Sequence, residues 1–168
     1  MLAAVLLDDG VDAAEFIYPY YRLIEAGFDV DVVAVRTGEF SSKNKLILRA
    51  DTTVEEALLK KYQVLVVPGG YAPDRLRRSQ KVLELVAQVY EHGGRIAAIC
   101  HGPQVLISAG IVTNKKITGF LSIKDDIINA GADYTGLAVE SDERIVTATD
   151  VKALPEFMST LLSGLEEA

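Results

Sequence analysis

Short apolar runs alternate with amphipathic segments along the whole chain. The runs AAVLL (3–7), FDVDVVAV (28–35), VLVV (64–67) and RIAAIC (95–100) are typical of buried strands. Segments between and after them have helical spacing or helix caps, and they predict helices at 13–27, 52–61, 79–94 and 102–110. The pattern then predicts a strand at 115–120, a helix at 122–131, two strands within 137–149 and a final helix at 154–168. This alternation predicts an α/β fold, a single doubly wound and mostly parallel sheet with helices on both faces.

In such folds, ligands bind beyond the carboxyl ends of the strands. Cys100 ends one predicted strand, Gly69 and Gly70 follow another, and Asp8 and Asp9 end the first. The sequence therefore predicts a functional site at this edge of the sheet.

Composition narrows the classes of partner. The 168 residues suit one domain, 1–168, and the formal charge of -7 argues against nucleic acid or anionic lipid as partner. No apolar run reaches the ~20 residues that a membrane span needs. The first ten residues lack the basic start of a signal peptide and predict a buried strand. A lone cysteine permits no internal disulfide, which indicates a reducing cytoplasm.

The sequence also lacks the usual cofactor motifs. One cysteine and two histidines are too few soft ligands for a zinc or iron–sulfur site. Neither a GxGxxG pattern nor a P-loop is present, so no nucleotide is indicated. We therefore expect neither a metal nor a cofactor.

Cys100, the only cysteine, has two interpretations. A free cysteine in a strand is most often a small buried hydrophobe. Here the apolar run stops at Cys100, a helix starts with Pro103, and Ala98 and Gly102 flank the cysteine. This pattern matches the G-x-S-x-G nucleophile elbow, with Ala for the first Gly and Cys for Ser. Because the start of a helix favours the thiolate, the elbow predicts a lowered thiol pKa and a nucleophilic cysteine.

His101 and Glu15 are the candidate proton-transfer groups. His101 directly follows Cys100, although consecutive residues on a sharp turn need not face each other. Glu15 stands three residues after Asp12, the spacing of a capping box, so a structural role is open. Pro19 removes the helical partner of the Glu15 carbonyl and predicts a distorted helix there, which favours a functional role.

Three segments together resemble one known family. They are AICHGPQVLISAG (98–110), VVPGGYAPD (66–74) and IKDDIINAGA (123–132). In order and length, the chain resembles the PfpI intracellular protease family of the class I glutamine-amidotransferase-like superfamily. That superfamily includes deglycases and glyoxalases that need no metal or glutathione. The resemblance implies a flavodoxin-like fold and a cysteine nucleophile.

The resemblance also implies roles for single residues. Glu15 would hydrogen-bond the Cys100 sulfur as a protonated carboxyl with a pKa raised by burial. The N–H groups of Gly70 and His101 would form an oxyanion hole. The family resemblance further implies a homo-oligomer, either built from dimers or forming a trimer or hexamer, and a site near a subunit interface. Across it, Asp74 of a neighbouring subunit would orient His101, although Asp is one methylene shorter than the family's usual Glu.

Two departures from the family concern the pocket. Phe120 stands where the family commonly has a tyrosine, so a polar group is missing. Segment 147–155 lacks an Arg and a Pro that usually precede the final helix. We expect an atypical pocket rim.

The main hypothesis is an enzyme in which Cys100 attacks a carbonyl, either as a protease-like hydrolase or as a glyoxalase or deglycase of small dicarbonyls. One doubly wound sheet accounts for nearly all the residues and leaves no second domain for an extended peptide, so small dicarbonyls fit at least as well. The alternatives are a redox sensor or protective protein in which Cys100 is oxidised without turnover, and a scaffold with an inert cysteine.

Overall fold

A computed structural model describes residues 1–167 of the chain. The strands are β1 (Leu2–Leu6), β2 (Asp29–Ala34), β3 (Gly38–Ser41), β4 (Ile47–Ala50), β5 (Thr52–Thr53), β6 (Val64–Val67), β7 (Arg95–Ile99), β8 (Lys116–Ile117), β9 (Asp133–Tyr134), β10 (Val139–Asp142) and β11 (Ile145–Ala148). The helices are α1 (Ala13–Glu25), α2 (Val54–Ala57), α3 (Ala72–Leu76), α4 (Gln80–Glu91), α5 (Pro103–Ser108), α6 (Lys124–Asn129) and α7 (Leu154–Glu166). Single 3₁₀ turns precede α6 and α7.

Within residues 1–167, seven strands form the main sheet in the order β10-β11-β7-β6-β1-β2-β5. Its pairings are parallel except the one between β10 and β11. The predicted α/β fold with a mostly parallel sheet is therefore confirmed. Because β1, β6 and β7 are neighbours, their carboxyl ends meet at one edge, where Cys100 and Gly69 lie.

Helices cover the sheet in two groups. Helices α1 and α7 contact each other as well as β1, β2 and β11, whereas α4 packs against α2, α5, β6 and β7. Every residue of β6 and β11 is buried, which explains why β6 appears as a continuous apolar run. Within the described part of the chain, no helix combines the length and the apolar character needed to cross a membrane.

The structure differs from the prediction at several places, among them α3 and β9, for which the pattern predicted no element. The strand predicted at 115–120 is only the two-residue β8, which pairs with β9 outside the main sheet. Residues 36–51, for which the pattern predicted no element, contain the antiparallel hairpin β3–β4. The last residue of the predicted final helix, Ala168, lies outside the described residues.

Candidate active site

Cys100 lies on a sharp turn between β7 and α5. Its φ is +61°, a left-handed conformation that costs a non-glycine residue roughly 1–3 kcal/mol. Gly102 makes the turn possible, because a Cβ there would lie 2.5 Å from the Val67 carbonyl oxygen. The predicted nucleophile elbow is therefore present, and Cys100 is 8% exposed.

Two backbone amides converge on the sulfur of Cys100. The backbone N–H groups of Gly70 and His101 interact with it and lower the pKa of the thiol. Gly70 has a φ of +78°, and a Cβ on it would lie 2.5 Å from Gly10 O, so only glycine fits. The two groups that the family resemblance implies as an oxyanion hole thus lie beside the same atom.

The Glu15 carboxylate takes part in the site rather than in a full capping box. Asp12 accepts the Glu15 N–H at 3.1 Å, as an N-cap does. The Glu15 side chain does not return to Asp12 but accepts the Gly69 N–H at 3.0 Å. A Cβ on Gly69 would strike this carboxylate and would lie 2.7 Å from Cys100 Cβ, so the three residues are packed together. Helix α1 continues through Pro19, so the distortion predicted there does not interrupt it.

Glu15 is 2% exposed, and its environment disfavours the carboxylate. Burial, followed by the negative charge of Asp12, raises its pKa from 4.5 to about 7. The raised pKa was predicted. At neutral pH, however, both protonation forms are present, so Glu15 is not held fully protonated.

The prediction of a lowered thiol pKa is wrong. Burial, followed by the negative charge of Glu15, raises the pKa of the Cys100 thiol to about 12. The amides of Gly70 and His101 act in the opposite direction but do not outweigh burial. The thiol therefore keeps its proton at neutral pH and needs a base to react.

His101 provides such a base. Its Nδ1 lies 3.3 Å from Cys100 Sγ, and its Nε2 lies 3.1 Å from Ser122 Oγ. The ring stacks on Phe120 with 5.2 Å between centroids. Burial, and to a lesser extent the charge of Lys43, lower the pKa of His101, so the imidazole is neutral at neutral pH.

Asp74 does not meet His101 within the described chain. It lies exposed on the short helix α3, and the two ring nitrogens of His101 face Cys100 and Ser122 instead. A contact from Asp74 of a neighbouring subunit stays a prediction.

The pattern along the chain did not point to Lys43 or Asp150. Lys43 lies in the turn of the β3–β4 hairpin, and its Nζ is 2.8 Å from Asp12 Oδ2. Its charge lowers the pKa of Cys100 and of Glu15, whereas the charge of Asp150 raises that of Glu15. No local motif marks either residue, because only the fold brings the hairpin and segment 147–155 to this edge.

The arrangement combines a thiol, a neutral imidazole, a carboxyl group that titrates near neutral pH and two convergent amides. Such a set can add the sulfur to a carbonyl carbon, hold the resulting oxyanion and move protons. Among residues 1–167, no three His, Cys, Asp or Glu side chains come together as metal ligands.

Known proteins resemble the chain over most of its length. The sequence profile of the DJ-1/PfpI family matches residues 1–164. A deglycase of Pyrococcus abyssi is 38% identical over 148 residues, covering 88% of this chain and 89% of that protein. Protein/nucleic acid deglycase 2 of Escherichia coli is 31% identical over 157 residues, covering 92% of this chain and 91% of the relative.

A solved structure shares the fold. It is a two-domain protein of Anabaena variabilis with DJ-1/ThiJ/PfpI-like and ferritin-like domains. The TM-score is 0.95 at 38% identity, and the match covers 98% of this chain and 48% of that one.

Proposed function

The chain belongs to the DJ-1/PfpI family, and on that premise we propose that it acts on small dicarbonyls such as methylglyoxal, or on their adducts with amines. It is an enzyme of the PfpI type, as its relatives named deglycases indicate. The substrate class and the residue roles below are our proposal. They are supported by the deglycase names and by the chemistry of the site.

One observation carries the proposal. Cys100 is held at a φ of +61° with its sulfur against the amides of Gly70 and His101 and beside the buried Glu15. An inert, space-filling cysteine needs neither the left-handed conformation nor the convergent donors. The cost of this geometry supports a nucleophile.

The first step is addition of the sulfur to the aldehyde carbon. The S–H proton passes to Nδ1 of His101 while the new C–S bond forms. The π electron pair of the C=O bond moves to oxygen, and the N–H groups of Gly70 and His101 stabilise the oxyanion. General-base assistance replaces the preformed thiolate that the sequence predicted, because the thiol pKa is about 12.

The second step uses the Glu15 carboxylate as a base. It takes the proton from the former aldehyde carbon and returns it to the adjacent carbonyl carbon. The oxyanion re-forms its C=O bond, and the oxygen of the adjacent carbonyl takes up the proton held on His101, which leaves a lactoyl thioester on Cys100. Water then hydrolyses the thioester and releases the thiol. Methylglyoxal and water together give lactate, with one carbon oxidised and its neighbour reduced, so no outside oxidant is needed.

The redox-sensor alternative is less well supported. Oxidation of a cysteine proceeds through its thiolate. Because burial raises the pKa of Cys100 to about 12 and leaves it 8% exposed, little thiolate is present to react with peroxide. The same two facts favour a reaction in which a bound substrate and a base act together.

We also propose that the chain works as a homo-oligomer in the cytoplasm. The family resemblance supports the oligomer. A reducing compartment suits an enzyme whose only cysteine must stay reduced. Light scattering of the purified protein tests the oligomer directly.

A substrate panel tests the proposed function. Wild-type protein should convert methylglyoxal to lactate, and Cys100→Ser should lower kcat at least ~10³-fold, because a hydroxyl is a far weaker nucleophile. Ser159→Ala, on the exposed face of α7, is the matched control and should leave kcat unchanged. Cleavage of a peptide reporter without methylglyoxal turnover would instead indicate a protease. If peroxide modifies Cys100 while neither methylglyoxal nor the peptide reporter is turned over, the protein would be a redox sensor.

A further inference from the structure

The ring of His101 is held from three sides. Nδ1 faces the Cys100 sulfur at 3.3 Å, Nε2 faces the Ser122 hydroxyl at 3.1 Å, and Phe120 stacks on the ring. The Ser122 contact comes from a residue 21 positions further along the chain. The Ser122 hydroxyl therefore occupies Nε2, the ring nitrogen to which an orienting carboxylate from a neighbouring subunit would otherwise bind.

The backbone fixes the position of this hydroxyl. Phe120 N–H donates to the Cys100 carbonyl at 2.9 Å, which ties the segment to the elbow. Ile123 N–H then donates to the Phe120 carbonyl at 3.0 Å and closes the 3₁₀ turn that contains Ser122. Ile123 is 2% exposed and anchors the turn in the core. The hydroxyl therefore lies on a constrained turn, although its own residue is exposed.

A hydroxyl has a chemical effect that a carboxylate lacks. When Nε2–H donates to Ser122 Oγ, Nδ1 keeps its lone pair and can accept the Cys100 proton. A carboxylate at the same nitrogen would stabilise the imidazolium and so favour a histidine that is already protonated. A neutral partner leaves the imidazole neutral, consistent with the lowered pKa of His101.

We propose that Ser122 is the positioning residue for His101, so that one chain by itself aims the basic nitrogen of the imidazole at the Cys100 sulfur. This inference rests on the proposed function, in which His101 accepts the thiol proton. It makes an acid from another subunit unnecessary for that step. Asp74 of a second copy could bind Nε2 only by displacing the Ser122 hydroxyl, so the two arrangements exclude each other.

Kinetics of matched variants test the inference. Ser122→Ala should lower kcat for methylglyoxal about tenfold, the effect of one lost hydrogen bond, with KM changed less than about twofold. Ser122→Thr keeps the hydroxyl and should restore most of the rate. Ser159→Ala again serves as control. Unchanged kinetics in Ser122→Ala would overturn the proposal, as would a large loss in Asp74→Ala.

NMR spectroscopy reports the tautomer of the His101 imidazole directly. The protein has two histidines, so His92→Gln assigns the ¹⁵N resonances of the His101 ring. In the wild type we expect the Nε2–H tautomer with an unprotonated Nδ1, and in Ser122→Ala a mixture of tautomers. The same tautomer population in both proteins would overturn the proposal.

The two proposals fail in different ways. If Cys100→Ser keeps full turnover, the proposed function is wrong. If Cys100 is essential but neither turnover nor the His101 tautomer responds to Ser122→Ala, only the positioning role is wrong.

Discussion

Two carboxylates of the molecule, Asp31 and Glu15, are held in different ways. Asp31 accepts the Tyr62 hydroxyl at 2.6 Å and the Lys60 ammonium at 2.7 Å. Glu15 accepts only the Gly69 N–H at 3.0 Å among the hydrogen bonds of residues 1–167, and the structure places no cation within ion-pair distance of it. Asp31 also keeps an 18% exposed side chain, whereas Glu15 is 2% exposed.

The difference separates a structural cluster from a reactive one. Burial, and then the hydrogen bond to Asp31, raise the pKa of Tyr62, so the phenol stays neutral. Burial without a cationic partner instead brings the pKa of Glu15 to about 7, where it exchanges its proton under working conditions. Pairing stabilises a fold, whereas unpaired burial creates a group that can do chemistry at a cost in stability.

The largest effect is expected from Glu15→Gln. The rate with methylglyoxal should fall at least ~10²-fold, because the base is lost. The folded-state pKa lies above the ordinary value of 4.5, so the carboxylate destabilises the fold as pH rises through about 7. Removing it should therefore stabilise the protein by about 3 kcal/mol at pH 8, and by less than about 1 kcal/mol at pH 5.

Urea unfolding at the two pH values, beside kcat, checks this prediction. Glu84→Gln, an exposed acid on α4, is the control and should change neither quantity. If Glu15→Gln were equally or less stable than wild type at pH 8, the comparison between the two carboxylates would fail.

Tyr62→Phe should produce the opposite pattern. The variant loses the hydrogen bond that the Tyr62 hydroxyl donates to Asp31. This loss should lower the free energy of unfolding by about 1–2 kcal/mol. Turnover should stay within about twofold of wild type, because Tyr62 precedes β6 at the edge of the sheet remote from Cys100. Urea unfolding measures the change in stability, and steady-state kinetics measure kcat. Tyr21→Phe, at an exposed position, is the control for both measurements. A clear drop in kcat would show that the cluster is not purely structural.

The smallest effect is expected from Asp150→Asn. The charge of Asp150 raises the pKa of Glu15, so its removal should lower that pKa. In the wild type, kcat/KM should rise as the pH increases through about 7, where Glu15 becomes the basic carboxylate. The variant should shift this rise to lower pH by a fraction of a unit.

The substitution is conservative, because Asn keeps an oxygen that can accept the Lys152 N–H as Asp150 does. A pH–rate profile of kcat/KM, with exposed Asp133→Asn as control, checks the shift. A shift to higher pH would mean that Glu15 is not the titrating group.

Sequence pattern predicted more of the fold than of the site. The buried strand β6 is apolar at every position, because helices cover both faces of the sheet, so it is visible in the sequence. The two-residue strand β8 and the hairpin β3–β4 carry no such pattern. They are short or half exposed, and the prediction was wrong or silent there.

The sequence by itself determined the fold class, the elbow at Cys100, the glycines before α3 and the candidacy of Glu15. The fold class follows from the alternation of elements along the chain, and the other three are local, since a strand end, a tight turn or a helix cap is made by residues within a few positions of one another. The tertiary structure alone decided that Glu15 bonds Gly69 rather than closing a capping box, and that Ser122 faces His101.

It also decided the direction of the thiol pKa. That direction depends on how deeply the sulfur is buried and on the charge of Glu15, which lies 85 residues earlier in the chain. Desolvation and Coulomb interactions depend on distances in space, and the spacing of residues along a chain does not contain them.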